Sequence, residues 1–189
     1  MTGAPPIEIE SIGGSLACEV KERSGASPMS CYQCAKCSSG CPVAARGDLK
    51  PHEVVRMVQM DQREAVLSSR FIWECTSCQT CTTRCPQKVD IASMNDALRA
   101  MSREGGAVAP ATTVPVFNDI FLDAVRDRGR IFEMGLMIRF KLRTKRFFED
   151  ASKAPMMLLK GKLPLFGSRT GGKDEREALF NRAAGGGAK

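Results

Sequence analysis

Apolar positions in the middle of the chain recur with the period of a helix. Through "PHEVVRMVQMDQREAVLSS", Val54, Val55, Val58, Ala65 and Val66 return near the spacing of one helical face. Pro51 opens this stretch, since a missing N–H costs nothing in a first helical turn. A second stretch starts after Asp90, a good capping residue, and carries Ile91, Met94, Leu98 and Met101 on one side until Gly105 and Gly106 end it. A third, "VFNDIFLDAVRDRG", shows Phe117, Ile120, Phe121, Ala124 and Val125, with Gly129 as its breaker. A fourth, from Arg130 to about Asp150, mixes Ile131, Phe132, Leu136 and Phe140 with basic residues, and "DEREALFNR" reads as a short helix further on. No stretch of strand-type alternation interrupts the spacer between the first two helices. The pattern predicts an all-α chain.

Each of the first two helices follows a run of cysteines. Cys31, Cys34, Cys37 and Cys41 precede Pro42, and Cys75, Cys78, Cys81 and Cys85 precede Pro86, both with the spacing C-x2-C-x2-C-x3-C-P. Cysteine run, proline, loop and amphipathic helix thus occur twice, as an internal repeat with a 44-residue offset. This organisation divides the 189 residues into an N-terminal extension (1–28), a two-run domain (29–106), C-terminal helices (107–150) and an extended basic arm (151–189). The first thirty residues and the closing "NRAAGGGAK" are rich in Gly, Ser, Pro or Ala, so frayed ends around an ordered centre are expected.

Charge narrows the functional classes. The net +7 is concentrated after Asp90, most densely in "RFKLRTKR" from Arg139 to Arg146. With one Trp, one Tyr and no nucleic-acid motif beside it, this cluster reads as a solvated or partner-facing surface, and no nucleic-acid partner is expected. The N-terminus has no basic start followed by an apolar core. No apolar run approaches the roughly 20 residues that span a bilayer. The expectation is a cytoplasmic chain without direct membrane insertion, where thiols stay reduced and clustered cysteines are metal ligands rather than disulfides.

The run spacing points to iron-sulfur chemistry. A four-iron cubane presents four corners, each needing one thiolate, and three cysteines at x2 spacing wrap three of them with one tight loop. In runs of this type the cysteine before proline ligates the other cluster. One 4Fe-4S cluster is therefore assigned to Cys31, Cys34, Cys37 and Cys85, and a second to Cys75, Cys78, Cys81 and Cys41. Zinc sites are usually built from separated C-x2-C pairs instead. With four cysteine ligands each, the clusters have no open iron for substrate, so they are expected to carry electrons, and no catalytic residue is assigned. Lys36, Arg84 and Lys88 lie near the runs and are candidates for favouring the reduced, more negative state. His52, the single histidine, sits in the first turn of its helix and reads as a surface residue. Cys18, outside both runs, reads as a plain thiol.

The doubled run resembles bacterial two-cluster ferredoxins, but the helical spacer is more similar to the helical ferredoxin domain of succinate dehydrogenase iron-sulfur subunits. Most of all it resembles the C subunit of heterodisulfide reductase. That resemblance rests on "CYQCAKCSSGCPV", on "LKPHEVVRMVQMDQREAVLSSRFIWECTSCQTCTTRCPQKVDI" and on "VFNDIFLDAVRDRGRIFE". It implies an α-helical ferredoxin domain in a non-catalytic relay subunit of an oxidoreductase complex. Electrons would pass between a flavin-containing A subunit and a B subunit whose cysteine-rich site performs disulfide chemistry. The alternative it implies is an iron-sulfur subunit exchanging electrons with a membrane cytochrome and quinone.

Overall fold

The computed structural model describes residues 15–107, 113–145 and 170–185, and all regular structure among them is helical. The expectations for the first fourteen residues, for Arg146–Asp150 and for the arm before Thr170 lie outside the described residues. The chain divides into two compact units, Met1–Thr112 and Thr113–Lys189.

The first unit contains α1 (Ser15–Ser24), α2 (Lys36–Ser39), α3 (Pro51–Gln59), α4 (Arg63–Leu67), α5 (Phe71–Glu74), α6 (Thr80–Thr83) and α7 (Ile91–Glu104). A single 3₁₀ turn, Pro28–Ser30, leads into the first cysteine run. Helix α7 is the hub, touching α1, α4, α5 and α6. It starts where the capping argument places it, with Asp90 Oδ1 accepting from Ser93 N at 3.1 Å. It stops at Gly105, and Gly106 follows at φ +65°, a conformation that L side chains rarely adopt. Ile91, Met94, Leu98 and Met101 are all buried, as their period requires. Leu16, Val20, Val54, Val55, Val58, Val66 and Ile72 are, like Met94 and Leu98, fully inaccessible to water.

Two features depart from the pattern. The spacer is three helices, because after Met60 the chain enters the left-handed region at Asp61, φ +55°. Asp61 leaves the helix to serve another: its carboxylate accepts from Leu16 N at 2.9 Å, at the start of α1. The break also shifts the apolar face, so that Leu67 is buried and Ala65 exposed. The second departure is α1 itself. Composition predicts a frayed extension through residue 28, yet residues 15–24 form a helix whose Leu16 and Val20 enter the core. Ten residues are too few for a stable isolated helix. Tertiary packing on α7 and α3 supplies what local propensity lacks, and Glu19 adds ion pairs to Arg23 and Arg63.

One carboxylate ties the loop after the first run to the chain before the second. Asp48 accepts from Ser69 Oγ at 2.8 Å, Arg70 N at 2.8 Å and Phe71 N at 2.9 Å, capping the start of α5 from across the fold. Partial burial pushes its carboxyl up, but the Arg70 N–H, the Ser69 hydroxyl and the Phe71 N–H outweigh it and hold the group below the usual carboxylate range. Asp48→Ala is expected to cost about 1–2 kcal/mol, the usual worth of a lost cap, read as a lowered urea midpoint. Because the folded carboxyl titrates below the unfolded one, its contribution is present above the ordinary aspartate range. It fades as pH falls through the depressed value, so the wild-type and variant midpoints should converge there.

The second unit consists of α8 (Val114–Arg128), α9 (Glu133–Thr144) and α10 (Lys173–Gly185), with α9 and α10 both packed on α8. Ile120 and Ala124 are its buried residues on the predicted stripe, and Phe117 meets Phe140 edge-on with ring centroids 5.8 Å apart. Gly129 ends α8 at φ +75°, and Thr170 Oγ1 lies so near that a Cβ there would collide with it. The basic residues Arg139, Lys141 and Arg143 lie on α9, whose residues include none that is buried.

Candidate iron-sulfur site

The two cysteine loops share left-handed residues at matching positions. Gln33 and Ala35 lie at φ +63° and +58°, and Ser77 and Gln79, 44 residues on, at φ +51° and +62°. Left-handed conformations cost non-glycine residues about 1–2 kcal/mol each, so their recurrence at the same register marks a conformation that the loops hold against local preference. Left-handed residues in a tight loop help turn N–H groups to one side, as in the concavities that hold anions and iron-sulfur groups. Gln33 N points to Cys31 Sγ at 3.4 Å in the first loop.

The fourth cysteine of the first run lies beside the second run. Cys41 lines one pocket together with Cys75, Cys78 and Cys81, and Val43, Phe71, Ile91 and Ala92 supply apolar wall. On the other side, Tyr32 is the shared neighbour of Cys34, Cys85 and Cys31. Loss of hydration, a hydrogen bond with Cys34 and the charge of those three thiolates together raise its phenol pKa. Cys85 Sγ also receives Val89 N at 3.3 Å, beyond its own proline. Burial raises the Cys37 and Cys81 thiols, whereas the Thr80 hydroxyl and N–H lower that of the exposed Cys78. Cys18 is on the exposed side of α1, outside both runs.

Helices α3 and α7 brace the loops in matching ways. Ser38, after Cys37, receives His52 N at 3.1 Å and pairs with His52 Nδ1 at 2.7 Å. Thr82, after Cys81, receives Ala92 N at 3.3 Å and donates to Asp90 Oδ1 at 3.0 Å. Further along each helix, Gln59 Nε2 donates to Pro28 O and Cys31 O, both at 2.9 Å. Arg99 donates likewise to Ile72 O and Cys75 O, and reaches Ser77 Oγ at 3.4 Å. Loop positions correspond at an offset of 44 residues and these helix positions at an offset of 40, the connection after the second run being shorter by four. His52 is thus half-buried beside the first run rather than a plain surface residue.

Proximity in the chain is a poor guide to the bases. Lys36, Arg84 and Lys88 are all exposed. Arg84 lies over Gly40, its own counterpart in the repeat, where a Cβ would collide with the guanidinium. The brace residues Gln59 and Arg99 are 28 and 24 residues from the cysteines they touch. Their one signal in the sequence is that they are polar residues four positions after Val55 and Asn95, one turn beyond the buried face.

The donor set fits iron-sulfur clusters: eight thiols in two loops, N–H groups turned to the sulfurs, and one pocket drawing cysteines from both runs. Residues 30–90 match the family described as 4Fe-4S dicluster domain, which covers both runs and the spacer. The first unit therefore carries an all-α 4Fe-4S dicluster domain.

The chain is also similar to the C subunits of heterodisulfide reductases, bearing out the resemblance carried by the cysteine contexts. It is 30% identical over 93 residues to the C subunit of the H(2):CoB-CoM heterodisulfide,ferredoxin reductase of Methanothermobacter thermautotrophicus, covering 49% of this chain and 50% of that one. It is 35% identical over 88 residues to the C2 subunit of the H(2)/formate:CoB-CoM heterodisulfide,ferredoxin reductase of Methanococcus maripaludis, 47% of each chain. With the second iron-sulfur C subunit of the CoB–CoM heterodisulfide reductase of Methanocaldococcus jannaschii it shares 38% over 81 residues, 43% of each. The chain spans about half the length of the curated relatives it matches. No helix among the described residues is long and apolar enough to cross a membrane.

Proposed function

We propose that this chain is the electron-relay subunit of a heterodisulfide-reductase-like oxidoreductase complex in the cytoplasm. It holds two 4Fe-4S clusters, one on Cys31, Cys34, Cys37 and Cys85 and one on Cys75, Cys78, Cys81 and Cys41. The observation that carries this reading is the pocket lined jointly by Cys41 and the first three cysteines of the other run. When bound, such clusters supply one-electron transfer without bond-making, because all corners are taken by protein sulfur. The chain's own residues place N–H donors at Cys31 and Cys85, exclude water with Phe71, Ile91 and Ala92, and hold the two loops in one core. The chemistry on disulfide belongs to a cysteine-rich partner, and a flavin-bearing partner stands on the other side of the relay. The similarity to the C subunits of heterodisulfide reductases supports these partners.

Anaerobic purification of the tagged chain from its own cells is the direct test. A flavoprotein and a second cysteine-rich protein are expected to come with it, together with about eight irons per copy of this chain, four for each cluster. A membrane cytochrome as the sole partner, or a chain isolated with zinc, would sink the proposal.

A further inference from the structure

The two halves of the site are near copies, but their braces differ in charge. Gln59 and Arg99 occupy corresponding helix positions and bind corresponding carbonyls, those of Pro28 and Cys31 in one loop and of Ile72 and Cys75 in the other. An amide does this work without charge. A guanidinium does it with a full positive charge fixed at the carbonyl of a cysteine.

We infer that Arg99 raises the reduction potential of the cluster on Cys75, Cys78, Cys81 and Cys41, and that the neutral Gln59 gives its twin no such help; this rests on the two-cluster reading above. Reduction adds an electron, and a cation held nearby stabilises the product more than the reactant. The size of that effect depends on distance and on exclusion of water. Arg99 meets both conditions: its side chain is 22% exposed and bound to the loop at two backbone carbonyls and one hydroxyl. Lys36, Arg84 and Lys88 are exposed, where water and salt screen them.

Glu74, next to Cys75, is ion-paired with Arg70 at 3.0 Å, and two further anions act in the opposite sense. Asp96 lies 2.9 Å from Arg99 Nη1, but it is 57% exposed and on the side away from the loop carbonyls that Nε and Nη2 bind. Asp90 accepts from Thr82, Ser93 N and Ser93 Oγ, so its charge is largely taken up by the start of α7. Neither changes the sign of what Arg99 contributes. Both provide handles on it.

The test is a potentiometric titration of the anaerobic full-length chain followed by electron paramagnetic resonance, with iron and sulfide counted in each preparation. Arg99→Gln installs the brace of the other half. One of two potentials should move to a more negative value while the other stays, and the moving signal should be the one that Cys78→Ser alters. Arg99→Lys keeps the charge and should lie closer to wild type than Arg99→Gln does. Asp96→Asn, at an exposed position paired with Arg99 Nη1, should move the same potential upward. If Arg99→Gln loses a cluster, Asp96→Asn decides alone: an upward shift supports the inference and an unchanged potential overturns it. Unchanged potentials in fully loaded Arg99→Gln and Asp96→Asn proteins also overturn it. A wild-type chain without two titrating clusters is a different result, since it removes the two-cluster reading and not the role of Arg99 alone.

Discussion

Changing Cys41 to Ser is expected to damage the cluster on the opposite run. Cys41 belongs by sequence to the first run, yet it lines the pocket of Cys75, Cys78 and Cys81. If ligation is crossed, the serine variant retains the cluster on Cys31, Cys34, Cys37 and Cys85, and the spectroscopic signal lost or altered matches that affected by Cys78→Ser. The complementary change, Cys85→Ser, should behave as Cys34→Ser does. About four of roughly eight irons are at stake in each case, a change that iron analysis and resonance spectra read without ambiguity. Uncrossed ligation predicts the reverse pairing, Cys41 with Cys34 and Cys85 with Cys78, and that outcome would refute the assignment. Crossed ligation would also bind the halves of the unit to each other, so loss of either cysteine should then lower thermal stability along with iron content.

The second large effect is mechanical. Leu98 is fully buried on α7, the helix in contact with α1, α4, α5 and α6. Leu98→Ala opens a cavity in that core, and such changes typically cost about 2–5 kcal/mol. At a urea slope of about 1–3 kcal/mol/M, the midpoint should fall by roughly 1 M or more, with cluster absorbance lost in the same transition. The control is Ala65→Ser. Hydrophobic spacing puts Ala65 on the buried face, but it is exposed in the fold, so the change should stay within about 0.5 kcal/mol. Similar losses at the two positions would mean that α7 is not the centre of the core.

The legible parts of the site and fold were those encoded by neighbours in the chain. The spacing of the cysteines, the prolines that follow, the Asp90 cap and the Gly105–Gly106 stop all act within one or two helical turns. Residue type and interval therefore carry their meaning directly. The α1 helix was illegible for the opposite reason. Ser15–Ser24 has a weak amphipathic pattern and a neighbourhood of Gly and Ser, and it becomes helical because Leu16 and Val20 find a core made by residues much later in the chain. Asp61 shows the same logic: its left-handed backbone breaks a good helical pattern, and its carboxylate caps a helix 45 residues earlier.

The sequence by itself determined the all-α class, the doubled cysteine loop and the ligand chemistry, since these depend on local period and spacing. Only the tertiary structure decided that Gln59 and Arg99 hold the two loops, that His52 and Ala92 occupy matching places behind Ser38 and Thr82, and that Arg84 overlies Gly40. Those relations join residues far apart in the chain. Their strength comes from distance and exclusion of water, which exist only once α3 and α7 have packed.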